Sequence, residues 1–194
     1  YFGHGLNVDL AFFYSSLDQP FYDASTNVPH PSGRTYTQTV NAYRAKNYGA
    51  ELFVSYDIQN LYLTPYVSVT TMRYEREVTP GNTTKDTGVP KHWGVAGLRF
   101  SKEFGGNMRL FSDASVTWSE GHRNIDYATL SSAAGTNIVY SSGFKADLTV
   151  GAEYGQDHRL RASLSFKNIG DKPFEPWGYY QPGFHVVGSL SYEF

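Results

Sequence analysis

The sequence contains no cysteine and no long apolar run. Without cysteine, the 194-residue chain has no disulfide scaffold, no thiolate zinc site and no cysteine nucleophile. Without a run of about 18 apolar residues, it has no segment typical of a transmembrane helix. Charged residues make up only 18% of the chain, and the formal net charge is −2. The sequence therefore gives no electrostatic case for nucleic-acid binding.

Aromatic residues and strict alternation are what the sequence has in abundance. Phe, Trp and Tyr together make up 16% of the residues. Over 143–154, apolar side chains occupy every second position and polar ones the positions between, so the two sets fall on opposite faces of a strand. The same alternation occurs at 107–118, 158–167 and 183–194. No segment shows the 3.6-residue period of an amphipathic helix. The sequence therefore predicts an all-β protein.

The connections alternate between tight turns and long polar stretches. Tight turns are predicted at Gln59-Asn60, at Gly105-Gly106 and at 155–157. Long loops are predicted at 16–34, 78–89, 119–141 and 168–181. The segment 35–58 can be one long strand or two strands broken near Lys46-Asn47, and the alternation of connections requires the first reading. Eight strands are then predicted, at 6–15, 35–58, 61–77, 90–103, 107–118, 142–154, 158–167 and 183–194.

This arrangement favours a transmembrane antiparallel β-barrel. Short turns at one end and long loops at the other are typical of outer-membrane barrels. A soluble β-sandwich is the alternative, since its strands also alternate, but Tyr-rich strands with a polar second face favour the barrel. The long segment at 35–58 favours a large barrel. One aromatic girdle is predicted where the outward face meets the short turns, formed by Tyr56, Phe100, Tyr154, Tyr192 and Phe194.

Three segments resemble TonB-dependent outer-membrane receptors. NAYRAKNYGAEL at 41–52 resembles the N-x-x-x-A-x-x-x-G-x-E-L segment that forms one long descending strand in that family. VPKH at 89–92 resembles the Pro-x-His motif before a later strand, and NIGDKP at 168–173 resembles the penultimate Asn-Leu-x-Asp-Lys-x-Tyr segment. The aromatic-x-aromatic end, Tyr192 and Phe194, is similar to the signal read by the outer-membrane insertion machinery.

The resemblance implies that residues 1–194 are the C-terminal part of a receptor barrel with 22 strands around a plug, the plug and the N-terminal strands lying outside this chain. It implies TonB-dependent uptake of a scarce nutrient complex, for which an iron–siderophore or haem is the family's commonest cargo. The implied partners are outer-membrane lipid, the rest of the receptor and, through the plug, the inner-membrane TonB energy complex. It implies no cofactor and no resident metal. The implied location is the outer membrane of a Gram-negative bacterium.

Charged residues on the polar face of the strands are predicted to line the lumen. They either contact the plug and the passing cargo or form a ladder of cross-strand pairs that keeps the lumen polar. These residues are Arg99, Arg109, Asp113, Lys145, Asp147, Glu153, Arg159 and Arg161.

Ligand recognition is expected in the long loops. Arginine and aromatic rings suit an anionic, aromatic iron chelate through charge and stacking. The candidates are His122, Arg123, Tyr127, Trp177, Tyr179 and Tyr180. His30, between two prolines, is a further candidate for binding haem or a metal, although a lone loop histidine is more often solvated.

Two functions other than transport are alternatives for this sequence. An enzyme would need a fixed catalytic set, and although His122, Asp126 and Ser131 share one loop, nothing in the sequence fixes their geometry. No metal-ligand spacing or phosphate loop occurs, so a protein without catalytic activity is predicted. The second alternative is a self-contained eight-stranded barrel with a structural or adhesion role. That barrel would pair its first strand with its last, whereas a receptor fragment leaves both edges open.

Overall fold

A computed structural model describes residues 5–29, 31, 35–85, 89–126, 136–155, 159–174 and 181–193. Within these residues the chain is almost entirely antiparallel β-strand, with one 3₁₀ turn at Gln59–Leu61. Along the chain the strands are β1 (Leu6–Asp18), β2 (Phe21–Pro29), β3 (Thr35–Asn41), β4 (Arg44–Tyr56), β5 (Leu63–Thr79), β6 (Asn82–Thr84), β7 (His92–Phe104), β8 (Met108–Ser119), β9 (His122–Asp126), β10 (Thr136–Tyr140), β11 (Gly143–Tyr154), β12 (Leu160–Lys167) and β13 (His185–Tyr192).

Eight of these strands form one sheet, in the order β1-β4-β5-β7-β8-β11-β12-β13, with β6 attached to the end of β5. Every neighbouring pair is antiparallel, so the sheet is a simple meander. The predicted all-β fold and its eight principal strands are confirmed. No helix in the described part of the chain is long and apolar enough to cross a membrane.

The register of the sheet separates an apolar face from a polar one. One row of directly paired residues is Phe104, Met108, Tyr154, Leu160 and Tyr192. The adjacent row, whose side chains point to the other side, is Glu103, Arg109, Glu153, Arg161 and Ser191. The apolar side is the exposed one, since Phe12 is 77% and Leu190 75% exposed. We call the apolar side the outer face and the polar side the inner face.

The segment predicted as one strand at 35–58 is interrupted, and this prediction was wrong in detail. β3 ends at Asn41 and β4 begins at Arg44, so the break does not lie near Lys46-Asn47 either. It lies opposite Gln19, which has a φ of 55°, and Pro20, which has no N–H to donate. The pairings Asp18–Arg44 and Phe21–Asn41 keep one register across the break. The ladder is therefore locally disrupted without reversal, and the chain still follows one path through 35–56.

Three of the stretches predicted as loops contain strands. Residues 16–34 include the end of β1 and all of β2, which pairs with β3. Residues 119–141 include the hairpin of β9 and β10, and residues 78–89 include β6. The predicted turn at Gln59-Asn60 is the 3₁₀ turn, closed by Tyr62 at a φ of 57°. Long connections in this protein therefore build hairpins that extend beyond the main sheet.

Aromatic residues bound the outer face at both ends. At the short-turn end lie Tyr56, Phe104, Tyr154 and Tyr192, so Phe104 takes the place predicted for Phe100, which lies four residues further up β7. Phe194 lies outside the described residues. At the long-loop end lies a second belt that was not predicted, formed by Tyr14, Tyr48, Trp118 and Phe144.

The spacing of the two belts matches a membrane. Tyr48 and Tyr56 are eight residues apart and Phe144 and Tyr154 ten, which corresponds to about 26–33 Å along the strands at ~3.3 Å per residue. A strand tilt of about 40° reduces this to roughly 20–25 Å, close to the ~25 Å apolar band of outer-membrane barrels.

The sheet does not close on itself in the described part of the chain. β1 and β13 stand at opposite ends of the strand order, each with one strand neighbour. A self-contained eight-stranded barrel would instead pair β1 with β13. Two long unpaired edges expose backbone N–H and C=O groups that pair readily with further strands.

Candidate functional site

The inner face carries the charged residues predicted to line the lumen. Seven of the eight lie on this face, in β7, β8, β11 and β12. The register of these strands brings them into three clusters, centred on Asp113, Glu153 and Asp147. Arg159 lies one residue before β12, where its carbonyl oxygen accepts a hydrogen bond from the Glu193 N–H. Contacts of these eight charged residues with a plug or a cargo stay a prediction.

Glu153 is the most buried charged residue among the described residues of the inner face. It is only 4% exposed, because the side chains of the flanking strands cover it. The Arg109 Nε donates to its Oε2 at 2.7 Å, and the Arg161 Nη1 lies 3.5 Å from its Oε1. The Arg161 guanidinium also lies over the Phe111 ring, 4.6 Å from the ring centroid. Two cations therefore hold one carboxylate, which satisfies the buried charge and leaves this cluster with a positive excess.

Asp113 forms the centre of the second cluster. The Arg99 Nε lies 3.2 Å from its Oδ2, and the Tyr66 hydroxyl donates to its Oδ1 at 2.8 Å. The Arg99 guanidinium lies 4.3 Å from the centroid of the Tyr66 ring. Together the two clusters border an open depression of about 410 Å³ on the inner face.

Two glycines make room for the aromatic rings of these clusters. A Cβ at Gly97 would overlap the Tyr66 ring, and a Cβ at Gly151 would overlap the Phe111 ring. The rings lie across the neighbouring strand because glycine leaves the space above it open. Tyr66 and Phe111 were not predicted as inner-face residues from the sequence. A glycine in the middle of an alternating strand was the available signal.

Asp147 ties the inner face to the turn before the last strand. Its Oδ2 lies 3.6 Å from the Lys145 Nζ and 3.7 Å from the Lys167 Nζ, and its Oδ1 accepts the Asn168 N–H at 2.8 Å. Asn168 is 2% exposed. Its amide nitrogen donates to the carbonyl oxygens of Lys172, at 2.8 Å, and of Pro182, at 3.3 Å.

The same turn also positions the start of β13. The Asp171 Oδ1 accepts the Phe184 N–H at 2.8 Å, and Asn168 and Asp171 both have a positive φ. Asn and Asp tolerate this left-handed conformation better than most residues. The NIGDKP segment, noted in the sequence for its resemblance, is thus a hydrogen-bonded junction between β12 and β13.

His122 lies in a hairpin rather than on an open loop. It begins β9, pairs with Tyr140 of β10, and stacks on the Tyr140 ring with 4.6 Å between ring centroids. Burial lowers the pKa of His122, although the backbone at Glu120 opposes this shift. The neutral imidazole is therefore the form that this hairpin favours.

The remaining loop candidates have no described side chains. Arg123 lies in β9, paired with Val139, and its side chain is outside the description. His30, Tyr127, Trp177, Tyr179 and Tyr180 lie outside the described residues altogether. Their role in ligand binding stays a prediction. Among the residues that the structure describes, no three His, Asp or Glu side chains group closely enough to hold a metal ion.

Comparisons with known proteins identify similar folds. The sequence matches no family model and no curated protein. Among solved structures, the chain is similar to the FrpB iron transporter from Neisseria meningitidis, with a TM-score of 0.65 and 17% identity over 100% of this chain and 29% of that one.

Two further structures give the same result. The pyoverdine outer-membrane receptor FpvA from Pseudomonas aeruginosa, bound to pyoverdine, has a TM-score of 0.62 and 16% identity over 100% of this chain and 28% of that one. The siderophore receptor PirA from Acinetobacter baumannii has a TM-score of 0.64 and 15% identity over 97% of this chain and 30% of that one.

The chain thus spans less than a third of the length of each of these receptors. Identities near 16% establish the fold, not the cargo. The resemblance noted in the sequence is confirmed at that level: the chain has the fold of part of the β-barrel of TonB-dependent siderophore receptors.

Proposed function

We propose that the chain is the C-terminal part of an outer-membrane receptor barrel that takes up a scarce nutrient complex, an iron–siderophore or haem. The chain supplies barrel wall and extracellular loops. The plug and the other strands of a 22-stranded barrel belong to the rest of the receptor, and the inner-membrane TonB complex supplies energy through the plug.

The open eight-stranded meander is the observation that carries this proposal. Its outer face is apolar between two aromatic belts, its inner face is charged, and both edges are unpaired within the described residues. This combination suits a segment of a wide barrel with lipid outside and water inside. The similar structures are transport receptors, which favours a transporter over an enzyme.

The inner wall offers cations to whatever the lumen holds. The side chains of Arg99 and Arg161 remain 53% and 55% exposed although both are paired with carboxylates. A plug segment or an anionic chelate would meet these guanidinium groups first. Cross-strand pairing and contact with a lumen occupant are therefore compatible roles of the same residues.

The self-contained eight-stranded barrel is the less favoured function. It requires β1 to pair with β13, and these strands lie at opposite ends of the sheet. Size-exclusion chromatography in detergent separates the two proposals. The 194-residue chain alone should aggregate or bind the upstream part of its receptor, whereas a monomer that behaves as a closed barrel would support the alternative.

Uptake is tested with the natural full-length protein. We expect a Gram-negative host that lacks its own ferric receptors to accumulate ⁵⁵Fe from at least one of ferric pyoverdine, ferric enterobactin and haem when it produces this protein. Accumulation should disappear when the host lacks TonB. Failure with all three probes, or uptake that does not depend on TonB, would contradict the proposal.

A further inference from the structure

Three cations lie together on the outer face at its long-loop end. Lys46 of β4 is paired with Glu75 of β5, and Lys85 follows β6 on the other side of Glu75. Arg73 lies two residues before Glu75 on the same face, paired with Tyr48. We call Lys46, Arg73 and Lys85 the outer basic patch.

The patch has more positive charge than its neighbours neutralise. Glu75 is the carboxylate between the cations, and its Oε1 lies 3.4 Å from the Lys85 Nζ and accepts the Tyr48 hydroxyl at 3.4 Å. In the described part of the chain, neither Lys46 nor Arg73 forms an ion pair. Among the described residues of these two rows, three cations and one carboxylate leave an excess of two positive charges.

Two further carboxylates, Asp18 and Glu77, lie on the same face one row further from the apolar band, on either side of Arg44. Asp18 binds the Arg44 Nε at 3.2 Å, and the Glu77 carboxylate accepts the Gly81 N–H at 2.6 Å. They do not lie between the patch and the apolar band. An anion that approaches from the membrane side therefore meets Arg73 first.

The height of the patch is that of lipid headgroups. Arg73 shares its row with Tyr14 and Tyr48 of the second aromatic belt, at the long-loop end, which marks the membrane–water boundary. The next rows into the membrane carry the exposed side chains of Phe12 and Leu10. The apolar surface that acyl chains would contact is thus directly adjacent to cations at the level of the headgroups.

We propose that the outer basic patch binds the phosphate-bearing headgroup of an outer-leaflet glycolipid, with an acyl chain along Phe12 and Leu10. Guanidinium and ammonium groups suit phosphate oxygens, and their charge acts strongly at a membrane surface. The long loops, and hence the patch, lie on the extracellular side of an outer-membrane barrel. The inference rests on the proposed outer-membrane location, but it does not depend on which cargo is imported.

The experiment measures binding of diphosphoryl lipid A to the natural full-length protein, purified in a zwitterionic detergent. The variant K46Q/R73Q/K85Q should bind it about a hundredfold more weakly, because each cation near a membrane surface contributes roughly fivefold. The charge-retaining variant K46R/R73K/K85R should bind within a few-fold of the parent. Inorganic phosphate and lipid A without phosphates should both bind the parent weakly.

Lys102 provides a matched control on the same face. It lies at the short-turn end, with its Nζ over the rings of Tyr62 and Phe104, so K102Q removes one outer-face charge at the opposite boundary. K102Q should bind diphosphoryl lipid A like the parent. Far-UV circular dichroism and heat-dependent gel mobility verify that each variant is folded, and R73Q alone, expected to bind about fivefold more weakly, serves if the triple variant is not.

Three results would overturn the inference. The first is equal binding of diphosphoryl lipid A by the parent and by the glutamine variants. The second is a loss of binding in K102Q as large as that in the glutamine variants of the patch. The third is equal binding, by the parent, of lipid A with and without phosphates. Loss of ⁵⁵Fe uptake with lipid A binding intact would refute the transport proposal alone.

Discussion

The two faces of this sheet reverse the usual arrangement of a globular protein. On the outer face large apolar side chains are exposed, with Leu190 and Phe12 as the extreme cases. On the inner face the carboxylate of Glu153 is covered and held by two arginines. Apolar surface exposed to water costs about 25 cal/mol per Å², so a sheet with this outer face is stable only against lipid or another apolar partner.

The difference between the faces shows what organises the fold. The described residues build no compact apolar core, and Ala42, Ala45 and Phe174 are their only buried hydrophobic residues. Stability within the sheet comes instead from the backbone ladder and from inner-face pairs. The comparison predicts that neighbouring residues of one strand respond in opposite ways to the same substitution.

The largest contrast is expected on β12. Leu164→Arg places a cation in the middle of the apolar band and should destabilise the protein by about 2–4 kcal/mol. Ser163→Arg, one residue away on the inner face, should cost less than about 1 kcal/mol. Urea unfolding in phospholipid vesicles, followed by tryptophan fluorescence, measures both. Equal costs at the two positions would contradict the assignment of the faces.

The next effect tests the junction at the end of the inner face. Asn168→Ala removes three side-chain hydrogen bonds and puts alanine at a φ of 50°, so we expect a loss of about 2–3 kcal/mol. Hydrogen exchange should show that protection falls first in β13. Asn60→Ala, at an exposed position of the 3₁₀ turn, is the control and should change stability by less than about 0.5 kcal/mol. An unchanged exchange rate in β13 would show that the junction does not hold the last strand.

A smaller effect is expected from the buried carboxylate itself. Glu153→Gln keeps the shape of the side chain but leaves Arg109 and Arg161 close together without an anion, which should cost about 1–3 kcal/mol. Glu51→Gln, at an exposed inner-face position of β4, should be nearly neutral. Urea midpoints of the two variants and the parent measure this difference. A stability of Glu153→Gln equal to the parent would mean that the cluster only keeps the lumen polar.

The smallest effect concerns His122, outside the wall. Because burial lowers its pKa, the folded hairpin favours the neutral ring. Protonation therefore favours the opened hairpin, and stability should fall as the pH drops below about 6.5, the ordinary histidine value. Amide protection factors in β9 and β10 at pH 7.5 and 5.5 measure this loss. His122→Phe should keep the stacking and abolish the pH dependence, and an unchanged dependence in that variant would assign it to another group.

The two faces of the strands were predictable because apolar and polar residues alternate within the sequence of each strand. The strands at 143–154 and 107–118 follow from local sequence alone. Phe100 was placed in the aromatic girdle for the same reason, since it has the right face, but only the register with Met108 and Tyr154 shows that Phe104 lies at the boundary.

Features that depend on pairing were not predictable in this way. The break in 35–58 depends on Gln19 and Pro20 of the partner strand, and the Tyr66–Arg99–Asp113 cluster depends on three different strands. The hairpin of β9 and β10 lies inside a stretch whose polar composition indicated a loop. Tyr127, which lies between β9 and β10, and Trp177, Tyr179 and Tyr180 are outside the described residues, so their ligand-binding role rests on the sequence alone.

Accessibility of single labels along β11 tests the central claim most directly. Because the chain has no native cysteine, single cysteines at positions 144–153 can carry spin labels without background. In lipid vesicles, even positions such as Leu148 and Val150 should collide with dissolved oxygen, and odd positions such as Thr149 should collide with a water-soluble nickel chelate. A two-residue alternation in opposite phase for the two reagents is the predicted result. Even positions shielded from both reagents would show an apolar face packed inside protein and would contradict a wall between lipid and water.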